Sequence, residues 1–411
     1  YNRDKEKDIM KEKLLEYFLK YVKIDTMSKE GSLTVPSTQK QFDLARILAE
    51  DLKKLNLQKI QLTDNCFVTA VLPSNCGSSL NIGFIAHMDT IPGFSGTNVC
   101  PQVIENYDGK TIPLNGIELS PEQFPFLTEL TGKTLITTDG TTVLGADDKA
   151  GVANIMAMLD YYKGNPDIPH VNIHIAFTPD EEVGGGIDEF DVEDFSCDYA
   201  YTVDGGKPNE INYENFNAAS ASVVIRGLDI HPGSAKNQMK NASLIAMEFN
   251  ALLPAWERPE YTEGYEGFNH LCSIEGTVGQ AKLFYILRNH SLEILQRQKK
   301  DFENAVKFIN EKYGENTAEL SISDSYYNMK EIIQQDTRCI ERASDAMKAL
   351  GLTPAASPIR GGTDGARLTQ MGLRTPNLGT GGYNCHGPYE FACLEEMETV
   401  VRLLIEIAKE K

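Results

Sequence analysis

The stretch Leu-Asn-Ile-Gly-Phe-Ile-Ala-His-Met-Asp-Thr, residues 80–90, constrains this chain more than any other. Ile82 to Ala86 are apolar and suit a strand buried on both faces, yet the pattern breaks at once into His87 and Asp89. Side chains two apart on a strand point the same way, so imidazole and carboxylate would emerge together. In open α/β sheets, ligands sit beyond the carboxyl ends of the strands. The same event recurs. Thr-Val-Leu-Gly-Ala-Asp-Asp-Lys-Ala-Gly, residues 142–151, leads into an apolar helix from Val152 to Tyr162. A strand over 171–177 ends in Thr178-Pro-Asp-Glu-Glu-Val183 and three glycines, and a strand over 199–203 ends in Asp204-Gly-Gly.

At 411 residues the chain is long for one core and predicts two domains, one inserted in the other. A hydrophobic share of 41% and a charged share of 24% are those of an ordinary globular protein. No apolar run approaches the roughly 20 residues of a membrane span, and residues 1–8 have no apolar core, as a signal peptide would. The eight cysteines include no CxxC pair, which predicts reduced thiols and a cytoplasmic setting. A net charge of −20 speaks against nucleic acid and anionic membranes as partners.

Helices are expected over 9–22, from Thr38 with Gln41 completing a capping box, and over 394–410. Strands are expected at 66–72 and 80–86, and residues 91–135 read as a long excursion with short strands. From about 214 the rhythm changes. Strand 218–226, helix 238–253, strands 271–278 and 281–289, helix 291–313 and strand 318–327 give the order β-α-β-β-α-β, the ferredoxin-like pattern. The expected domains are therefore 1–213 and 328–411 as two parts of one α/β domain, with 214–327 inserted.

His87, Asp147, Glu182, Asp204 and His386 each stand just past a strand or at a helix start, and that mix of donors suits zinc, manganese or cobalt. Five ligands exceed one tetrahedral zinc with an open position, but fit two metals roughly 3.5–4 Å apart if one carboxylate bridges. Asp89, Asp147, Glu181, Glu182 and Asp204 in one cleft cannot all stay ionised without compensating cations. His170, His174, His270 and His290 read as structural, and Cys385 is not needed by so carboxylate-rich a set. Gly132-Lys-Thr134 is no phosphate loop, because Leu127 stands where glycine is required.

His87-x-Asp89, Gly145-Ala-Asp147-Asp-Lys, Asp180-Glu181-Glu182-Val-Gly, Asp204-Gly-Gly and His386-Gly resemble the co-catalytic dizinc exopeptidases. Leu-Gly-Ala-Asp-Asp-Lys-Ala-Gly, Arg-Gly-Gly-Thr-Asp-Gly-Ala and Asp-Ile-His-Pro-Gly-Ser-Ala-Lys are similar to the tripeptide aminopeptidases of that family. The resemblance implies a zinc-binding catalytic domain, a mixed sheet flanked by helices, with an inserted lid domain. It implies that Asp147 bridges two zinc ions, that His87 and Asp204 complete one, and that Glu182 and His386 complete the other. Asp89 would orient a ligand imidazole, and Glu181 would be the general base. His231 would contact the oxyanion, as its counterpart does in relatives. Arg288, at a strand end, offers a bidentate fork for a substrate carboxylate, and Arg360 before two glycines could serve the same anion. A deacylase or carboxypeptidase is the alternative within the family, and a non-catalytic metal-binding relative the alternative outside it. The assembly is open, with a homodimer among the candidates and His231 serving either its own subunit or a neighbour.

Overall fold

A computed structural model describes the backbone of residues 2–410 and side chains from residue 9 onward. Tyr1, Lys411 and the side chains on which the reading of the N-terminus rests lie outside it. The chain divides into two compact units, Tyr1–Tyr213 with Ile332–Ser357 and Thr363–Lys411, and Glu214–Glu331 with Pro358–Gly362.

The first unit is built on a seven-stranded mixed sheet. Its strands are β1 (Gln58–Leu62), β2 (Val68–Leu72), β3 (Asn81–His87), β4 (Asn172–Thr178), β5 (Tyr199–Gly205), β6 (Ile211–Asn212) and β7 (Asn377–Gly379), in the spatial order β1-β2-β4-β3-β5-β7-β6. The central strands are parallel, β3 to β4 and β5, and β7 to β5. At the margins β2 runs against β4, β1 against β2, and β6 against β7. The apolar run of β3 is explained by its place. It is buried from Ile82 to His87, with neighbours on both sides and helix Ala146–Gly164 packed across it. Register brings the strand ends level, with His87 opposite Thr178 and Leu378 opposite Val203. Four parallel strands thus release their chains at one edge.

Helix Ala146–Gly164 is apolar almost all round because it lies inside, between the sheet and helices Asn2–Tyr21 and Leu394–Ala408. Its first turn is not helical at Asp147 (φ −87°, ψ 104°) and Asp148 (φ −118°, ψ 32°), and Gly145 before it takes φ +77°. Residues 91–135 form a small subsidiary core of their own, in which Tyr107, Leu119, Leu127 and Leu135 pack with Phe391.

The capping box expected at Thr38 and Gln41 does not form. The helix begins at Gln41 with Lys40 in the cap position, and no side chain bonds its end. The Thr38 hydroxyl donates instead to the Met27 carbonyl (2.8 Å), while the Gln41 amide donates to the Asp180 carboxylate (2.6 Å).

The second unit is a four-stranded antiparallel sheet carrying two helices, in chain order strand Asn217–Arg226, helix Ala242–Leu252, strands Phe268–Gly276 and Gln280–Asn289, helix Leu292–Tyr313 and strand Ala318–Tyr326. Strand Asn217–Arg226 is central, paired with Gln280–Asn289 on one side and Ala318–Tyr326 on the other. Its alternating Ala219, Ala221, Val223 and Ile225 meet Ile245 and Phe249 from one helix and Leu295, Phe302 and Ile309 from the other. Asn241 and Ser291 cap the two helices through their side chains.

This unit departs from the expected span of 214–327 in two places. Residues 328–331 belong to it, because the Asn215 side-chain carbonyl accepts the Met329 N–H (2.8 Å) and Lys330 pairs with Glu214 (2.8 Å). Pro358–Gly362, expected in the first domain, belongs to it as well. Ile359 bridges to Asn215, and Arg360 lies over the Phe216 and Phe268 rings while donating to Thr262, Gly264 and Glu266.

Gly151 is where helix Ala146–Gly164 comes closest to β5. A Cβ there would stand 1.9 Å from the Val203 carbonyl and 2.5 Å from the Asp148 carboxylate. Gly151→Ala must therefore push the helix off the strand, at an expected cost of about 1–3 kcal/mol in urea unfolding. An unchanged midpoint would mean that this approach is not needed for stability.

Candidate metal centre

Chain direction and register carry the acidic and imidazole groups to one edge of the first unit. His87 ends β3, Asp204 lies near the end of β5, Glu181 and Glu182 follow β4, Asp147 opens the central helix, and His386 lies in the loop after β7. Two groups of ligand atoms result, His87 with Asp147 and Asp204, and Asp147 with Glu182 and His386. Within each group the atoms lie within 4.8 Å of one another. Asp147 is common to both. Its Oδ1 is 3.0 Å from His87 Nε2, and its Oδ2 is 3.1 Å from His386 Nε2. His87 Nε2 lies 3.6 Å from Asp204 Oδ1, and His386 Nε2 lies 3.1 Å from Glu182 Oε2.

Around these groups sits a layer of buried acids, three of which, Asp89, Glu390 and Asp148, fix backbone. Asp89, fully buried, has its main-chain carbonyl 3.1 Å and its Oδ1 3.3 Å from His87 Nδ1. A proton on Nδ1 directed at Asp89 leaves Nε2 as the free donor atom, the usual arrangement for a metal-ligating histidine. The same carboxylate accepts the N–H groups of Glu181 (3.0 Å) and Glu182 (3.2 Å), so it sets the glutamate turn as well as the imidazole. Glu390 accepts from the N–H groups of Leu144 (2.7 Å), Gly145 (2.8 Å) and Asp147 (3.0 Å), holding the loop that presents Asp147. Asp148 accepts from the N–H groups of His87 (3.3 Å) and Gly151 (3.2 Å). The Thr178 hydroxyl donates to Asp364 (2.7 Å).

Burial and crowding set the protonation of this cluster. Burial works against the charged form of Asp147, yet the imidazoles of His386 and His87 hold its carboxyl far below the usual range. Burial opposes the charged form of His87 too, and the carboxylates of Asp204, Asp147 and Asp89 outweigh it and push the imidazole well above its ordinary value. Hydrogen bonds to Asp147 and Glu182 push His386 up to about 10. Burial pushes Asp204 and Asp364 up to about 7, and raises Glu181 and Glu182. So many acids in so little water require added protons or cations.

The donor set fits metal ions. Glu182 Oε1 is buried without a hydrogen-bond partner, and a buried carboxylate oxygen rarely goes unsatisfied. Two imidazole nitrogens and three carboxylates, arranged about one shared carboxylate, can hold one divalent cation in each group. Glu181 differs from its neighbour. It belongs to neither ligand group, and among the described residues its carboxylate makes no hydrogen bond to protein, although His87, Asp204 and Asp364 lie within electrostatic reach.

All seven first-unit residues singled out from the sequence, His87, Asp89, Asp147, Glu181, Glu182, Asp204 and His386, lie at this edge. The other three lie on the second unit. His231 is exposed, and its Nδ1 accepts the Gly233 N–H (3.1 Å). Arg288 donates from Nη1 to the Ala219 and Leu287 carbonyls (3.1 and 2.9 Å), with its guanidinium over the Tyr326 ring. Arg360 departs from expectation, since four oxygens of residues 262–266 occupy the fork proposed for a ligand anion. Sequence reasoning missed Glu390, Asp148 and Asp364 as supports. Asp148 and Asp364 stand inside the motif strings. Glu390 precedes a short strand with no pattern to mark it.

Residues 143–410 match the model of Peptidase family M20/M25/M40. A peptidase T of Caldanaerobacter subterraneus subsp. tengcongensis is 52% identical over 401 residues, covering 97% of this chain and 98% of the relative. A peptidase T of Bacillus cereus is 50% identical over 404 residues, with coverage of 97% and 98%. Among solved structures, an aminopeptidase PepT of Bacillus cereus shares the fold with a TM-score of 0.77 at 24% identity, covering 97% of this chain and 98% of its own. A tripeptidase of Staphylococcus aureus does so with a TM-score of 0.79 at 23% identity and the same coverage. The mixed sheet, the strand-end cluster of imidazoles and carboxylates, and likeness along nearly the whole length lead to one conclusion: the chain belongs to peptidase family M20/M25/M40 and is a metallopeptidase.

Proposed function

We propose that this chain removes the N-terminal residue from tripeptides, using two metal ions, zinc foremost with cobalt or manganese as substitutes, and Glu181 as general base. The observation that carries this reading is the pair of ligand groups joined at Asp147, with one neighbouring carboxylate, Glu181, left outside both. The peptidase T relatives at 50–52% identity support a small-peptide substrate class.

His87, Asp204 and Asp147 would hold one ion, and Asp147, Glu182 and His386 the other. When bound, such ions polarise a peptide carbonyl and make water acidic near neutral pH. Asp89 keeps the His87 ring in the tautomer that offers Nε2, and fixes the backbone from which Glu181 projects. The Glu181 carboxylate takes the proton of the attacking water and hands it to the leaving amine nitrogen. His231 is assigned to the oxyanion and Arg288 to the terminal carboxylate of the substrate. Arg360 is left out of that set, since its donors are occupied.

A panel of peptides tests the substrate class. A free tripeptide should be hydrolysed faster than the matching di- and tetrapeptides, and at least about 10²-fold faster than its N-acetyl form. Preference for the N-acetyl peptide would point to a deacylase or carboxypeptidase instead.

Glu181 and Glu182 are chemically identical and should fail differently. Glu181→Gln should retain both metals after dialysis and bind tripeptide normally, but lose roughly 10²–10⁴-fold in kcat. Glu182→Gln should lose one metal and recover part of its rate on added zinc. Metal loss in the first variant and retention in the second would reverse the assignment.

Metal binding should also be linked to protons. In the metal-free protein His87 and His386 are held protonated above their ordinary range, and each must give up that proton to ligate. Metal addition at neutral pH should therefore release protons, and affinity should weaken as pH falls. Calorimetry in buffers of different ionisation enthalpy measures the release. An affinity constant between about pH 6 and 8 would contradict it.

A further inference from the structure

Asp180, which precedes the glutamate pair, holds a backbone conformation that calls for an explanation. It is 2% exposed with φ +59°, the left-handed region that a side chain disfavours by roughly 1–2 kcal/mol. Its carboxylate is saturated by one neighbouring segment. Oδ2 accepts the Ser37 N–H (2.6 Å), and Oδ1 accepts both the Ser37 hydroxyl (2.5 Å) and the Gln41 side-chain amide (2.6 Å). The Asp180 N–H returns a bond to Gln41 Oε1 (3.3 Å), making the contact reciprocal. The Ser37 segment is itself tied back to the strand end of β3: the Lys29 N–H donates to the Ser37 hydroxyl (2.9 Å), the Thr38 hydroxyl donates to the Met27 carbonyl (2.8 Å), and the Ser28 N–H donates to the Thr90 carbonyl (3.0 Å).

The glutamate turn is thus gripped from two sides, by Asp89 at the N–H groups of Glu181 and Glu182, and by Ser37 and Gln41 at Asp180. The two glutamates depend on that grip unequally. Glu182 has His386 at 3.1 Å and a place in a ligand group, both of which aim its side chain. The Glu181 carboxylate has no hydrogen bond to protein among the described residues, so its backbone alone aims it. We propose that Asp180, clasped by Ser37 and Gln41, is a positioning residue for Glu181, which directs proton transfer without taking part in metal binding. This rests on the reading of Glu181 as general base.

Donor and acceptor chemistry supplies the test. Asp180→Asn replaces one of two acceptor oxygens by an NH₂, which must face the Gln41 NH₂, or the Ser37 N–H if the amide is turned over, or force Gln41 to turn its own NH₂ toward the backbone N–H of position 180, so every arrangement faces donor with donor. Changing Gln41→Glu in the same protein gives both donors an acceptor again. Asp180→Asn should lower kcat on a tripeptide by about ten-fold or more, with KM and bound metal unchanged, and Asp180→Asn/Gln41→Glu should recover most of that loss. Ser37→Ala, which removes the hydroxyl donor to Asp180 and the acceptor of the Lys29 N–H (2.9 Å) but keeps the Ser37 N–H bond to Asp180, should show a smaller loss of the same kind. In a Glu181→Gln background the Asp180→Asn change should cost almost nothing further, since the group it aims is gone. Unchanged kcat in Asp180→Asn, metal lost in step with activity, an unrescued double variant that holds its metal, or an equal loss in the Glu181→Gln background would each overturn the proposal. Full activity of Glu181→Gln alone would instead overturn the underlying assignment of the base.

Discussion

The Asp147 carboxylate, held between two imidazoles, is the interaction on which the rest of this structure depends. Each oxygen faces a different histidine at about 3 Å, so one side chain joins two ligand groups that arrive from opposite ends of the sequence. Bringing acids this close is costly, and the fold meets the cost by rigidity. Glu390 takes three backbone N–H groups around Asp147, Asp89 takes two at the glutamate turn, and Asp148 takes two more at His87 and Gly151. Parallel strands ending level at one edge supply the frame. The buried helix beyond them supplies a fixed platform, brought against β5 by the absent side chain of Gly151. A protein with the same residues on mobile loops would separate them by repulsion alone.

What could be read in the sequence follows the range of each signal. Strand ends were legible because burial on both faces leaves a run of apolar residues, and a histidine or acid closing that run is conspicuous at β3, β4 and β5. The alternation of helices and strands in the second unit was equally plain, since its sheet buries one face and its helices one stripe. Strand β1, Gln-Lys-Ile-Gln-Leu, escaped notice because it lies at the sheet margin, largely exposed, with little apolar pattern to betray it. Gln41 was misread because its spacing from Thr38 matches a local cap, whereas a buried carboxylate 139 residues away makes the stronger claim on its amide. Glu390 and Asp180 act on backbone groups distant in sequence, and nothing in local composition reports such a bond. Arg360 looked free beside two glycines, and only folding reveals that its guanidinium has oxygen partners on residues 94 to 98 positions earlier.

That last feature has a consequence for how the polypeptide matures on the ribosome. The helices and strands of the second unit are complete by Tyr326, yet the turn at Thr262–Glu266 lacks its clasp until Arg360 is made. Arg360 is translated 34 residues after Tyr326 (360 − 326), a delay of roughly 2–7 s at typical elongation rates. During that interval Phe216 and Phe268 have no guanidinium over their rings, and the carbonyls of residues 262–266 face water. The nascent unit therefore passes through a stage in which its sheet core is formed while the turn at Thr262–Glu266 still lacks the side chain that clasps it.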